Sequence, residues 1–197
     1  MSVQIVFETH ATSEDNEAGL ASGWLPGRLS KAGRQQASRL GRRRRQDGLA
    51  AVFCSDLQRA VETAQIAFGN TDLKLFYDWR LRECDYGDLN GAPAELIHQT
   101  RQQRLRTPYP GGESWEQAVR RVRGTLDDLA RCWSGARVLL VGHVATRWAL
   151  DHFVASRSLA ELAATEFTWH PGWEYRTDEL RVPARGRRDC APPSRLG

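Results

Sequence analysis

Several large protein classes leave no trace in this chain. No apolar run approaches the roughly 20 residues that span a bilayer, which argues against a membrane-spanning helix. The opening Met1-Ser2-Val3-Gln4 lacks a basic stretch followed by an apolar one, so no signal peptide and a cytoplasmic location are expected. The four cysteines, Cys54, Cys84, Cys132 and Cys190, form no CxxC pair and read as reduced thiols. No Cys/His pair has zinc-ligand spacing, so no metal is expected. No internal repeat is visible. The net charge of +4 is mostly local: residues 184–197 hold Arg185, Arg187, Arg188 and Arg195 against Asp189, four minus one. With Pro192 and Pro193, that segment reads as a disordered basic tail. The remainder is nearly neutral, which argues against a nucleic-acid partner.

What is present is ordinary globular composition, with 41% hydrophobic and 26% charged residues in 197. That size suits one domain, expected over residues 1–183. Residues 3–8 and 51–54 read as buried strands, 73–76 as another, and 137–142 (Arg-Val-Leu-Leu-Val-Gly) as a central parallel strand. Ser30 opens a helix over 30–46, and the run Arg42 to Arg45 at its end reads as a solvated face. Ser55 with Gln58, and Ser114 with Gln117, have the capping-box pattern. The first is expected to open a helix to about residue 68. The second precedes an amphipathic face of Trp115, Ala118, Val122, Leu126, Leu129 and Trp133. Residues 92–113, with Pro93, Pro108 and Pro110, look like a small excursion from the core. A helix is expected from His143 to about 156, and a late strand within the aromatic-rich 166–175. Strand and helix alternate, which implies an α/β/α sandwich around a mostly parallel sheet.

His10 and His143 each stand where an apolar strand ends, and ligands of open α/β sheets bind outside the carboxyl ends of strands. Arg59 lies in a helix's first turn, where free N–H groups and the dipole favour a phosphate. Glu83 is a carboxylic acid in a polar turn, of a type able to protonate a leaving alkoxide.

In order and spacing these segments resemble the histidine phosphatase superfamily, the group that includes cofactor-dependent phosphoglycerate mutases, over roughly residues 3–150. The resemblance rests on Leu29-Ser30-Lys31-Ala32-Gly33 with Gln36-Ala37, on Ser55-Asp56-Leu57-Gln58-Arg59-Ala60 with Thr63-Ala64, on Arg82-Glu83, on Pro110-Gly111-Gly112-Glu113-Ser114 and on Gly142-His143. It implies that His10 attacks phosphorus, that Arg59 and His143 hold the phosphoryl oxygens, and that Glu83 protonates the leaving oxygen. Thr9, Asn16, Ser22, Gly23 and Tyr86 would line the phosphate pocket. It implies no cofactor and no metal, and a small phosphorylated metabolite as partner. Monomer and homodimer both stay open.

The chain departs from that family at three places. Thr9 and Ala11 flank His10 where an Arg and a Gly are usual, and Val144 follows His143 in place of a Gly. Arg28 and Arg147 are candidates to replace the missing charge. In the excursion, Ala94 stands where a mutase would carry a substrate-binding Lys, and Arg101, Arg104 and Arg106 form no adjacent pair. A phosphatase is therefore expected rather than a mutase. The alternatives are a catalytically weakened phospho-ligand binding or regulatory protein, or an enzyme with an unusual substrate whose pocket is walled by Phe167, Trp169 and Trp173.

Overall fold

The computed structural model describes residues 2–166, 168 and 170–180. The elements, in chain order, are β1 (Gln4–Thr9), α1 (Glu14–Glu17), β2 (Leu20–Ala21), α2 (Lys31–Arg44), β3 (Ala51–Cys54), α3 (Gln58–Phe68), β4 (Lys74–Tyr77), β5 (Ala92–Pro93), α4 (Ala94–Thr100), α5 (Trp115–Cys132), β6 (Arg137–Gly142), α6 (Val144–Phe153), α7 (Leu159–Ala164) and β7 (Trp173–Arg176). The main sheet runs β4-β3-β6-β1-β7. Its first four strands are parallel, and β7 joins β1 antiparallel at the edge. The fold is thus the mixed, mostly parallel α/β arrangement that strand–helix alternation implies.

The strands read as continuous apolar runs because both faces are covered. Ile5, Phe7, Phe53, Val138 and Leu140 point to one face and pack against α5 and α6. Val6, Val52, Cys54, Leu139 and Val141 point to the other, against Leu40 of α2 and Ala60, Ala64, Ala67 and Phe68 of α3. Each buried Val, Leu, Ile or Phe among these contributes about 1.5–3 kcal/mol.

The second capping box forms as expected. Ser114 Oγ accepts from the Gln117 amide at 3.2 Å, and Gln117 Oε1 accepts from the Ser114 amide at 2.7 Å. The first does not. Ser55 donates its backbone N–H to Val141 at the sheet's end, and its Oγ accepts from Leu57 N. The chain must bend through Asp56 and Leu57 before turning helical, so Leu57 is the N-cap and has no side-chain cap bond. Helix α6 stops at Phe153, short of the expected 156, and Ser156 takes a left-handed φ of 57°. A further short helix, α7, follows with Ser158 and Glu161 as its capping box.

The arginines ending α2 are not simply solvated. Glu8, on the α2-facing side of β1, is only 2% exposed. It accepts from Arg43 Nη2 at 2.9 Å and from Arg44 Nε at 2.9 Å. A buried carboxylate requires such partners. Cys54 and Cys84 are free and buried, and Cys190 lies outside the described residues. The excursion is tied back by β5, which pairs antiparallel with β2. The basic segment 184–197, Phe167 and Trp169 lie outside the described residues.

Candidate active site

Strand β6 lies between β1 and β3, with Thr9 in register with Gly142 and Cys54 with Val141. The residues that follow, His10, His143 and Ser55, therefore emerge along one edge of the sheet. The His10 amide donates to Gly142 O at 3.0 Å, continuing the ladder one step. Distant parts of the chain meet here through strand order alone.

The imidazoles of His10 and His143 lie 4.9 Å apart, centroid to centroid. Nδ1 of His10 is 2.8 Å from the Ala11 carbonyl. A carbonyl can only accept, so Nδ1 carries the proton and Nε2 holds the lone pair. Arg59 Nε donates to that Nε2 at 3.3 Å. Arg59 Nη2 lies 3.4 Å from Nδ1 of His143. A guanidinium has no acceptor, so His143 Nδ1 accepts and neutral His143 carries its proton on Nε2. That Nε2 is buried without a hydrogen-bond partner among the described residues. Burial, and then the Arg59 charge, push His10 down to about 3 and His143 well below the usual histidine range. Both rings are neutral near pH 7.

Arg59 is held from the other side. Its Nη2 donates to Gly23 O at 2.8 Å and its Nη1 to Leu25 O at 3.1 Å. Gly23 has φ +53°, and a Cβ there would fall 1.8 Å from Asn90 Oδ1, so this turn excludes a side chain. Thr63, one helical turn after Arg59, accepts from the Ala11 amide at 3.0 Å and donates to Arg59 O at 2.7 Å. Helix α3 thereby fixes both the arginine and the segment after His10.

Glu83 sits at the N-terminus of α6. Its Oε1 accepts from the amides of Ala145 and Cys84, both at 3.0 Å, and its Oε2 from Val144 at 3.2 Å. Those bonds favour the carboxylate, but burial opposes it more strongly, and the net shift is upward from the ordinary range.

His10, His143 and Glu83 open into a cleft of about 650 Å³, which Thr9, Asn16, Val144 and Thr63 also line. Arg59, Ser22, Gly23 and Tyr86 do not line it. Ser22 is buried and donates to Asp15 Oδ2 at 2.6 Å. Tyr86 does not line the cleft; it packs in the core against Tyr109 and Trp115. Arg147 stacks 4.3 Å over Trp173 and pairs with Asp151 at 3.0 Å, so it replaces nothing beside His10. Arg28 is exposed and does not line the cleft. Trp173 packs against Phe7 on the sheet and does not wall the cleft. No group of three His, Cys, Asp or Glu residues suited to a metal occurs among the described residues.

The sequence reading missed one wall. Gln36, Arg39, Leu40 and Arg43 of α2 all face the cleft. The available signal was the 3–4 residue spacing of these positions on a helix.

The sequence pattern of the histidine phosphatase superfamily (branch 1) matches residues 5–170. A probable phosphoglycerate mutase GpmB of Salmonella typhi is 30% identical, with 72% of this chain and 69% of that protein covered. The corresponding Yersinia enterocolitica protein is 31% identical with the same coverage. Among solved structures, Bacillus stearothermophilus YhfR superposes with a TM-score of 0.75 at 26% identity, covering 86% of this chain and 88% of that one. The mycobacterial glucosyl-3-phosphoglycerate phosphatase in complex with VO3 superposes with a TM-score of 0.74 at 25% identity, covering 83% and 87%.

Proposed function

Because the chain belongs to the histidine phosphatase superfamily (branch 1), we propose that it hydrolyses small phosphomonoesters through a phosphohistidine on Nε2 of His10. One observation carries this reading. The Nε2 lone pair of His10 faces Arg59, and the unpartnered Nε2–H of His143 is buried beside it. An anionic group entering between them would replace two long contacts, 3.3 and 3.4 Å, with charge-assisted bonds.

In the first step His10 Nε2 forms a bond to phosphorus as the P–O ester bond breaks. The leaving oxygen takes a proton from Glu83. Arg59 and His143 donate to the equatorial oxygens, where charge builds. In the second step Glu83 takes a proton from water, whose oxygen attacks phosphorus and releases His10 with inorganic phosphate. The Oε2 of Glu83, with one 3.2 Å contact, is the oxygen left to carry the proton.

Hydrolysis is favoured over mutase chemistry by the excursion. Arg101 is 7% exposed and donates to Ala163 O and Thr165 O, and Arg104 donates to Pro108 O. Arg106 pairs loosely with Glu116 at 3.8 Å. None of the three lines the cleft, so no excursion arginine is available to hold a second acidic group. A weakened phospho-ligand binding protein is the competing reading, and the three amides that grip the Glu83 carboxylate favour it.

Wild type and His10→Ala would be assayed on a panel of sugar, nucleotide and short-chain phosphomonoesters, with acid-sensitive labelling of the protein. Phosphate release and labelling, both lost in His10→Ala, are expected. Ligand binding without turnover on any substrate would leave the binding-protein reading.

A further inference from the structure

The cleft is larger than a phosphoryl group needs. At about 650 Å³ it falls within the range of about 300–1,000 Å³ that holds an entire small molecule. One of its walls is basic. Gln36, Arg39 and Arg43 recur at intervals of three and four along α2, so they share one helix face.

These side chains differ in how far they are already engaged. Arg39 is exposed, and among the described residues it has no acidic partner. Arg43 contacts Glu8 through Nη2, and that carboxylate is also held by Arg44, which pairs with Asp47 as well. Gln36 uses its Oε1 for Thr12, accepting from N and from Oγ1, both at 3.0 Å, which leaves its amide N–H groups as donors. The carboxylates lining the cleft are Glu8 and Glu83, and each already accepts several N–H groups. The wall therefore presents a net positive charge and free donors, facing the same space as the catalytic candidates.

Thr9 keeps that space continuous. It stands beside His10 as a half-buried small side chain lining the cleft, where an arginine would be bulkier. The arginines of the excursion are spent on backbone carbonyls or lie outside the cleft.

We propose that Arg39 and Arg43, with the amide of Gln36, form a subsite for a second anionic group on the substrate. The substrate class is then a phosphomonoester that carries a carboxylate or a second phosphate elsewhere on the same molecule. The subsite rests on the phosphatase reading only for its reaction; its ligand chemistry stands on the α2 wall itself. The cleft's charge would select such substrates through binding, and would add nothing at phosphorus.

The test compares three series of equal chain length at constant ionic strength: alkyl phosphates, ω-carboxyalkyl phosphates, and α,ω-alkanediol bisphosphates. Wild type is expected to favour at least one doubly anionic series over the alkyl phosphates in kcat/KM by about tenfold or more, the worth of one charge-assisted hydrogen bond. The carboxylate and bisphosphate arms say which anion fits. In Arg39→Gln that ratio should fall to within about threefold of unity. Arg42→Gln removes an equal charge from an exposed position of the same helix that does not line the cleft, and should keep the ratio. Equal kcat/KM for all three series in wild type, or an unchanged ratio in Arg39→Gln, would overturn the subsite. A fall in Arg42→Gln as large as in Arg39→Gln would also overturn it, because a diffuse surface charge then suffices. If no series is hydrolysed, the phosphatase reading fails by itself. The dissociation constants of the same compounds, measured by calorimetry on wild type and Arg39→Gln, then decide the subsite by the same ratios.

Discussion

Replacing Arg59 by methionine separates catalysis from folding in this molecule. Arg59 is 2% exposed, and its guanidinium makes three contacts besides its approach to His143, with Gly23 O, Leu25 O and His10 Nε2. Hydrogen bonds to charged groups are worth about 1.5–3 kcal/mol each. Burying the charge costs several kcal/mol, and the depressed pKa of Arg59 reflects that cost. An apolar side chain of similar length removes both contributions, so the net loss of stability should be about 1–2 kcal/mol. For a chain of this length that is about 2–8 °C in Tm. The phosphoryl group, in contrast, loses its charged donor outright, and kcat should fall by about 10²–10³. A third readout follows from the electrostatics. Arg59 is one of the two causes that lower His10, so without it the ring should titrate above about 3. Steady-state kinetics on an aryl phosphate, a thermal melt and an NMR titration of the imidazole cover all three. A folded Arg59→Met protein with kcat within tenfold of wild type would refute the role assigned to this residue.

The pH profile carries a sign. In the proposed mechanism attack needs unprotonated His10, whose pKa is lowered to about 3, so kcat/KM should show no acid limb near 6.5. Protonation of the leaving group needs neutral Glu83, whose pKa is raised by burial, so the rate should fall as pH rises through that value. The comparison is made after correcting for the substrate's own second ionisation. Glu83→Gln should lower the rate about 10²–10⁴-fold and abolish this fall; an unchanged profile would remove Glu83 from the mechanism. Thr9→Arg restores a charged donor beside the nucleophile and should raise kcat for small alkyl phosphates by about 10–10²-fold, while long or doubly charged substrates lose affinity as the cleft fills. A uniform loss across all substrates would show that no charge is missing at this position. Gly33→Ala places a Cβ 1.9 Å from Thr12 O, a rigid backbone atom, and should cost about 1–3 kcal/mol in urea unfolding. No change in the midpoint would mean that α2 moves away freely.

The strands and the long helix α5 were legible because their signals are local. Apolar runs of four to six residues can only be buried on two faces, and the pattern from Ser114 to Leu129 carries its own cap and its own 3.6-residue stripe. His10, Arg59, Glu83 and His143 were legible as residue types in a familiar order. The positions that failed depend on what the chain meets elsewhere. Ser55 could not cap α3 because its backbone finishes a ladder against β6. Arg147 pairs with Asp151 on its own helix and stacks on Trp173 of an edge strand later in the chain. Arg43 and Arg44 looked solvated because their partner, Glu8, lies in a strand that reads as apolar. The sequence by itself therefore determined which residue types are available at the strand ends and which segments form elements. The tertiary structure decided the strand order that places β1, β6 and β3 side by side, and hence which side chains share the cleft. Contacts between residues 49 or 84 positions apart, as between Arg59 and each of the two histidines, are set by sheet register, which no local pattern encodes.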